Sequence, residues 1–118
     1  MPDKALVWVG SSLRDMRAFH PDARRKAGHE LYQVQIGLVP SDWKPMATVG
    51  PGVVEIRVRT LMQHRVFYVA KFAEAIYVLH AFQKTTRKTT SGDIELGKKR
   101  LREVIRLRGK GAGGPCET

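Results

Sequence analysis

Arg57, Arg59, Arg65, His80 and Lys84 interrupt the apolar positions of a stretch from Val53 to Lys88, VVEIRVRTLMQHRVFYVAKFAEAIYVLHAFQKTTRK, that reads as three consecutive strands followed by a basic run. Fixed cations on a sheet are suited to a polyphosphate backbone. They are also enough for one cleavage reaction. RNA can be cut without a metal when its own 2′-hydroxyl attacks the adjacent phosphorus, so the protein need only orient the strand, stabilise phosphate charge and move two protons. Arginine serves the phosphate through its rigid bidentate fork. A lysine among other cations has a lowered pKa, which makes Lys84 a candidate base or acid, and His80 titrates near neutral pH and could do either.

Each residue also has an ordinary reading, which the sequence leaves open. Arg57 and Arg59 on an alternating strand make a solvated face. Arg65 pairs with Glu55 across the sheet, and His80, between Leu79 and Ala81, is a hydrogen-bonded core histidine. Tyr68 packs, and the run from Lys98 to Arg102 is the wet side of a helix that attracts phosphate without specificity.

Other chemistries find little support. There is no Gly-rich phosphate loop, CxxC pair or HExxH, and His20, His29, His64 and His80 lack metal-ligand spacing, so neither metal nor cofactor is expected. Glu55 is the one acidic residue at a charged-face position of the strand block, which leaves a paired-carboxylate or two-metal centre nothing to build on. Cys116 is the single cysteine and cannot close an internal disulfide, as suits a reducing cytoplasm. The N-terminal apolar run is too short for a signal peptide, and no stretch approaches the roughly 18 apolar residues of a membrane span. A net charge of +10 on 118 residues, 42% of them hydrophobic, fits one domain with a real core and an anionic partner.

The elements that would position these groups follow from periodicity. Ala5 to Val9 reads as a buried strand, and Ser12 with Asp15 as a capping box opening a short helix lined by Leu13, Met16 and Phe19. From Pro21, the residues Ala23, Ala27, Leu31, Val34 and Leu38 mark an amphipathic helix ended by Gly37. Residues 39–52, with three prolines and two glycines, read as an ordered loop anchored by Trp43. Val54, Ile56 and Val58 alternate with Glu55, Arg57 and Arg59 in a strand, and Leu61 to His64 turn the chain. Arg65 to Ala70 and Ala75 to Phe82 are central strands of a hairpin. Thr90 or Ser91 caps a last helix with Ile94, Gly97, Leu101, Val104 and Ile105 on one face and a stop at Gly109. The expectation is an α+β fold of order β-α-α-β-β-β-α with helices on one face of a small antiparallel-rich sheet. One domain over residues 1–108 would carry a flexible Gly-rich tail over 109–118.

The segments GVVEIRVR, HRVFYVAKF, IYVLHAFQKTTRKT and DIELGKKRL closely resemble the phage-derived HigB-like branch of the RelE/ParE superfamily, toxins of type II toxin–antitoxin modules. Such proteins show a G-x-x-E-L/I-R strand, an R-V-F-Y strand, an L-H-x-F-x-K-K-T strand end and a helix beginning I-x-x-A-x-x-R. The likeness runs from about Lys44 to Leu107. It departs at Thr85, where a second lysine is usual, at Arg87 and Thr90, where glutamine and proline are frequent, and at Gly97, where alanine is typical.

The resemblance implies a RelE-like fold and a ribosome-dependent endoribonuclease that enters the ribosomal A site, cleaves mRNA and inhibits translation. By motif, Arg57, Arg65 and Lys84 would stabilise phosphate and move protons, His80 would support the strand end, and Arg59, Arg87 and Lys88 would contact RNA. It also implies a helix-turn-helix antitoxin as partner. Because the superfamily contains gyrase poisons, a non-catalytic inhibitor of DNA gyrase stands as the alternative, beside a plain basic RNA- or ribosome-binding domain.

Overall fold

Alternation along a strand decides which side chains share a surface, and here it sorts the sheet into two differently covered faces. The computed structural model describes residues 3–113. The order is β1 (Ala5–Trp8), α1 (Ser12–Arg17), α2 (Pro21–Gln35), β2 (Trp43–Pro45), β3 (Val53–Arg59), β4 (Gln63–Val69), β5 (Ala75–Lys84) and α3 (Ser91–Gly113). The five strands lie in the order β1-β5-β4-β3-β2, with β1 parallel to β5 and every other pair antiparallel.

Ile56 and Val58 of β3, Val66 and Tyr68 of β4, and Ile76 and Val78 of β5 form one core. Met16 and Phe19 cover it from the α1 end, and Ala23, Ala27, Leu31 and Val34 from α2. On the opposite face Val53, Phe67, Val69 and Leu79 pack with Leu101 and Val104 of α3. The α+β class is therefore as expected, whereas helices on one face alone are not. Because β4 and β5 are apolar on both sides, both sides must be covered, and α3 supplies the second layer.

Three local readings are also corrected. Within the expected 39–52 loop, Trp43–Pro45 pairs with β3 as a short edge strand, where Pro45 is tolerated because an outer edge needs no donor. The α1 cap is Ser11, whose hydroxyl donates to Asp15 Oδ2 at 2.6 Å, while Ser12 is buried and donates to the Val78 carbonyl at 3.0 Å. The stop expected at Gly109 does not occur, since α3 continues to Gly113. A single glycine weakens a helix by only about 1 kcal/mol and ends it only where the chain can turn away. The remainder of the expected tail, residues 114–118 with Cys116, lies outside the described residues.

Thr90 does cap α3, accepting the Asp93 amide through Oγ1 at 3.2 Å. The buried Arg100 then ties that helix to the sheet, donating to the Leu79 carbonyl and to Ser11 Oγ, both at 2.9 Å. Leu79 itself is an extra residue in β5. Pairing with β4 runs Tyr68 to Val78 and then Phe67 to His80, leaving Leu79 without a partner of its own.

Gly97 sits where α3 crosses Phe67. A Cβ there would lie 2.9 Å from Val49 Cγ1 and 3.1 Å from Phe67 Cδ2. Close approach of helix to sheet accounts for glycine at a position where a small side chain would otherwise favour the helix. The Gly97→Ala variant is expected to lose about 1 kcal/mol in urea unfolding. Overpacking costs roughly 1–3 kcal/mol and outweighs a propensity gain of about 1 kcal/mol.

Candidate nucleic-acid interface

Register turns the strand alternation into a grid on the face that α3 partly covers. Lys44, Glu55, Phe67 and His80 lie side by side across β2, β3, β4 and β5. Two residues further along comes the row Arg57, Arg65 and Phe82, and then Arg59, Gln63 and Lys84. Neighbours in a row are about 4.8 Å apart and successive rows about 6.6 Å. Residues far apart in the chain thus become one cationic surface.

Two clefts open on this surface. The first, about 580 Å³, is lined by Arg57, Arg59, Arg65, Lys84 and Arg87, with Gln63, Thr85 and Thr86 between them. The second, about 490 Å³, shares Arg57, Lys84 and Arg87 and adds Lys44, Lys88 and Thr89. All three residues expected to handle phosphate and protons, and all three expected to contact RNA, line one or both.

Like charges directly opposite each other on paired strands repel, and Arg57 faces Arg65. Glu55 resolves the conflict. Its carboxylate is 2% exposed, with Oε1 3.5 Å from Arg57 Nε and 3.6 Å from Arg65 Nε, while Oε2 accepts the Thr89 hydroxyl at 2.9 Å. Among the described residues neither Nε makes an aligned hydrogen bond, so charge rather than directed bonding holds both guanidinium groups to Glu55. The ordinary reading of Arg65 as a partner of Glu55 is thus present in the same geometry as the cleft.

The two arginines differ in what they have left to offer. Arg65 is 3% exposed, and its terminal nitrogens already donate to the His64 carbonyl at 3.1 Å and to Gln63 Oε1 at 3.0 Å. It forms the cleft floor. Arg57 is about a quarter exposed, and its fork can turn toward a ligand. At the rim, Arg59 pairs with Asp42 at 3.2 Å.

Partial burial first, then the charges of Arg65, Arg57 and Lys44, hold the Lys84 ammonium below its ordinary pKa, with Glu55 pulling the other way. Burial also lowers Arg65, which stays charged because guanidinium starts so high.

His80 is not brought to this pair of clefts. It stacks on Phe82 with centroids 4.5 Å apart and meets Phe67 edge-on, while Nε2 lies 2.8 Å from Asp93 Oδ1 at the start of α3. Burial lowers its pKa, opposed by the Asp93 contact. Tyr68 belongs to the other core, and burial pushes its phenol up to about 12.

Sequence reasoning missed Lys44, Gln63 and Thr89 as parts of the site. Lys44 and Thr89 come from segments read as loop, and no periodic signal could place them beside β3. Gln63 falls in the segment that reads as turn, yet its parity with Arg65 puts it on the same face.

Fold and clefts together define a small α+β protein with a cationic surface built on three adjacent strands. Residues 14–102, most of the chain, match the model of the phage-derived Gp49-like proteins (DUF891), and the chain belongs to that family. Gp49-like proteins are part of the RelE/HigB-like toxin family, which is associated with endoribonuclease activity and implies an antitoxin partner. No curated protein matches the sequence. No helix among the described residues is long and apolar enough to cross a membrane, and no three His, Cys, Asp or Glu among them converge as a metal site would require.

Removing Glu55 would leave two facing cations without their counter-charge. The Glu55→Gln variant is expected to lose about 3 kcal/mol in denaturant unfolding, as for other buried pairs broken on one side. Adding Arg65→Met should restore part of that loss, and a double-mutant cycle measures the coupling.

Proposed function

We propose that the protein is the toxin of a type II toxin–antitoxin pair, a ribosome-dependent endoribonuclease of the HigB kind that cleaves mRNA in the ribosomal A site. The observation that carries this reading is the meeting of Arg57, Arg65 and Lys84, from three adjacent strands, at one cleft. A phosphodiester seated there would receive the free N–H groups of Arg57. Arg65 would act from beneath, fixing Gln63 and adding its field without surrendering the bonds it already makes.

In the reaction the 2′-oxygen forms a bond to phosphorus as the bond to the 5′-oxygen breaks, leaving a 2′,3′-cyclic phosphate and a 5′-hydroxyl. One proton leaves the 2′-hydroxyl and one arrives on the 5′-oxygen. Lys84 is the group we assign to the first transfer, because its depressed pKa raises the share of free amine at neutral pH. Arg57 takes up the charge that gathers on the equatorial oxygens. The high positive charge of the chain would favour docking on ribosomal RNA, with association weakening as salt rises. A helix-turn-helix antitoxin would complete the pair.

Induction in bacteria with mapping of transcript 5′ ends tests the proposal. Wild type should create new ends only within translated codons, and Lys84→Ala should lower cleavage by about 10²–10⁴-fold, the usual worth of one positioned proton carrier. Lys84→Arg should not restore it, since a guanidinium keeps the charge but releases no proton. In a reconstituted reaction the wild-type rate should fall with falling pH as the amine is refilled with protons. Growth arrest with unaltered transcripts and a DNA-damage response would instead identify an inhibitor of gyrase.

A further inference from the structure

β1 pairs with β5 only from Ala75 to Val78, so among the described residues the outer edge of β5 beyond that point has no neighbouring strand. A cavity of about 620 Å³ wraps this edge. That volume is in the range of small-molecule sites. Rings flank it on both sides of the strand: Phe19 and His64, with centroids 4.3 Å apart, and His80 and Phe82, 4.5 Å apart.

Two of these side chains carry a polar atom that the fold leaves unpaired, although His80 is held through Nε2 by Asp93. His64 and His80 are each more than nine-tenths buried, and among the described residues the Nδ1 atom of each lacks a hydrogen-bond partner. Buried polar atoms usually find partners, and both rings belong to the lining of this one cavity. At the rim, Asp15 and Gln83 supply further acceptors and a donor.

The cavity adjoins the cationic cleft. Met62 lines both, and Gln83 of the cavity precedes Lys84 of the cleft by one residue, a rise of about 3.3 Å along β5. Gln83 and Lys84 point to opposite faces of β5, so a strand whose phosphate rests between Arg57 and Lys84 would pass the open edge of β5 to bring its next base to the cavity.

We propose that this cavity at the free edge of β5 is a nucleobase site, taking a base that flanks the phosphodiester held by Arg57 and Lys84. The half-buried ring of Phe82 offers a planar π-system a stacking surface, and Asp15 and Gln83 suit its donor and acceptor edge. The site rests on the reading of the clefts as an RNA surface, and it adds a base preference that phosphate contacts alone do not provide.

The test compares two 2′-O-methyl tetranucleotides of equal charge, one carrying bases and one abasic, each fluorescently labelled and titrated with the full chain at low salt. The methyl groups block internal attack, so binding is read without cleavage. Wild type should bind the base-bearing probe about tenfold or more tighter, the worth of stacking one base. Ala18→Leu fills the mouth from an exposed position without adding a ring, and Gln83→Ala trims the exposed rim. Each should bring the ratio toward one while the abasic probe binds as before, and circular dichroism checks that both variants fold. Arg57→Ala should weaken both probes alike. A wild-type ratio near one, or a ratio that neither variant changes, overturns the proposal. Transcript mapping judges the ribonuclease reading separately. Base-dependent binding without cleavage would sink the enzyme and keep the pocket, and cleavage without a variant-sensitive ratio would do the reverse.

Discussion

A buried carboxylate between two facing guanidinium groups is the constraint on which the surface depends. The sheet register places Arg57 directly across from Arg65, an arrangement that two paired strands resist unless an opposite charge lies within reach. Glu55, one pleat back on the same face of β3, reaches both through a single oxygen while its other oxygen is held by Thr89. Desolvating a carboxylate is costly, and that cost is offset only while both arginines remain. The result is a charge cluster that needs no ligand to exist and still leaves Arg57 and Lys84 with unused donors at the cleft.

The same face shows how packing separates residues that look alike in the chain. His80 and Lys84 are four residues apart on β5 and project to the same side, yet they do different things. Phe67 and Phe82 stand between His80 and the arginines, and Asp93 holds its ring against α3. Lys84 lies at the strand end, past the last aromatic ring, where it is screened enough to lose some basicity and open enough to meet a ligand. Burial helps to depress both pKa values, but only Lys84 opens onto the cationic clefts.

Much of this was legible in the amino-acid sequence, because strand alternation and helix period are local signals. Val54, Ile56 and Val58 announced β3, and Ala23, Ala27, Leu31 and Val34 the buried face of α2. The clustering of Arg57, Arg65 and Lys84 followed once the three strands were taken as neighbours. What the sequence hid depends on distant partners. Trp43–Pro45 has no strand signature of its own and is ordered by pairing with β3. Leu38 and Ile105 fit their helical periods yet stand exposed, since α2 has already ended at the first and Val104 takes the buried face of α3 at the second. The second covering layer was implied by apolar residues on both sides of β4, but choosing which helix crosses to it required the close seat of Gly97 on Phe67.

The unpaired Leu79 has a consequence beyond its own backbone. Counting back from Val69 opposite Tyr77, an uninterrupted ladder would set Leu79 across from Phe67, Ala81 across from Arg65 and Gln83 across from Gln63. Every later residue of β5 would then change sides, and the lysine would point into the layer beneath α2. The bulge inverts that parity, so the electrostatic character of the cleft depends on Leu79 staying out of the ladder. A lineage could lose the cluster by drawing Leu79 into the pairing, with all of its arginines and its lysine still in the chain, whereas deleting Leu79 would keep Phe67 opposite His80 and Gln63 opposite Lys84.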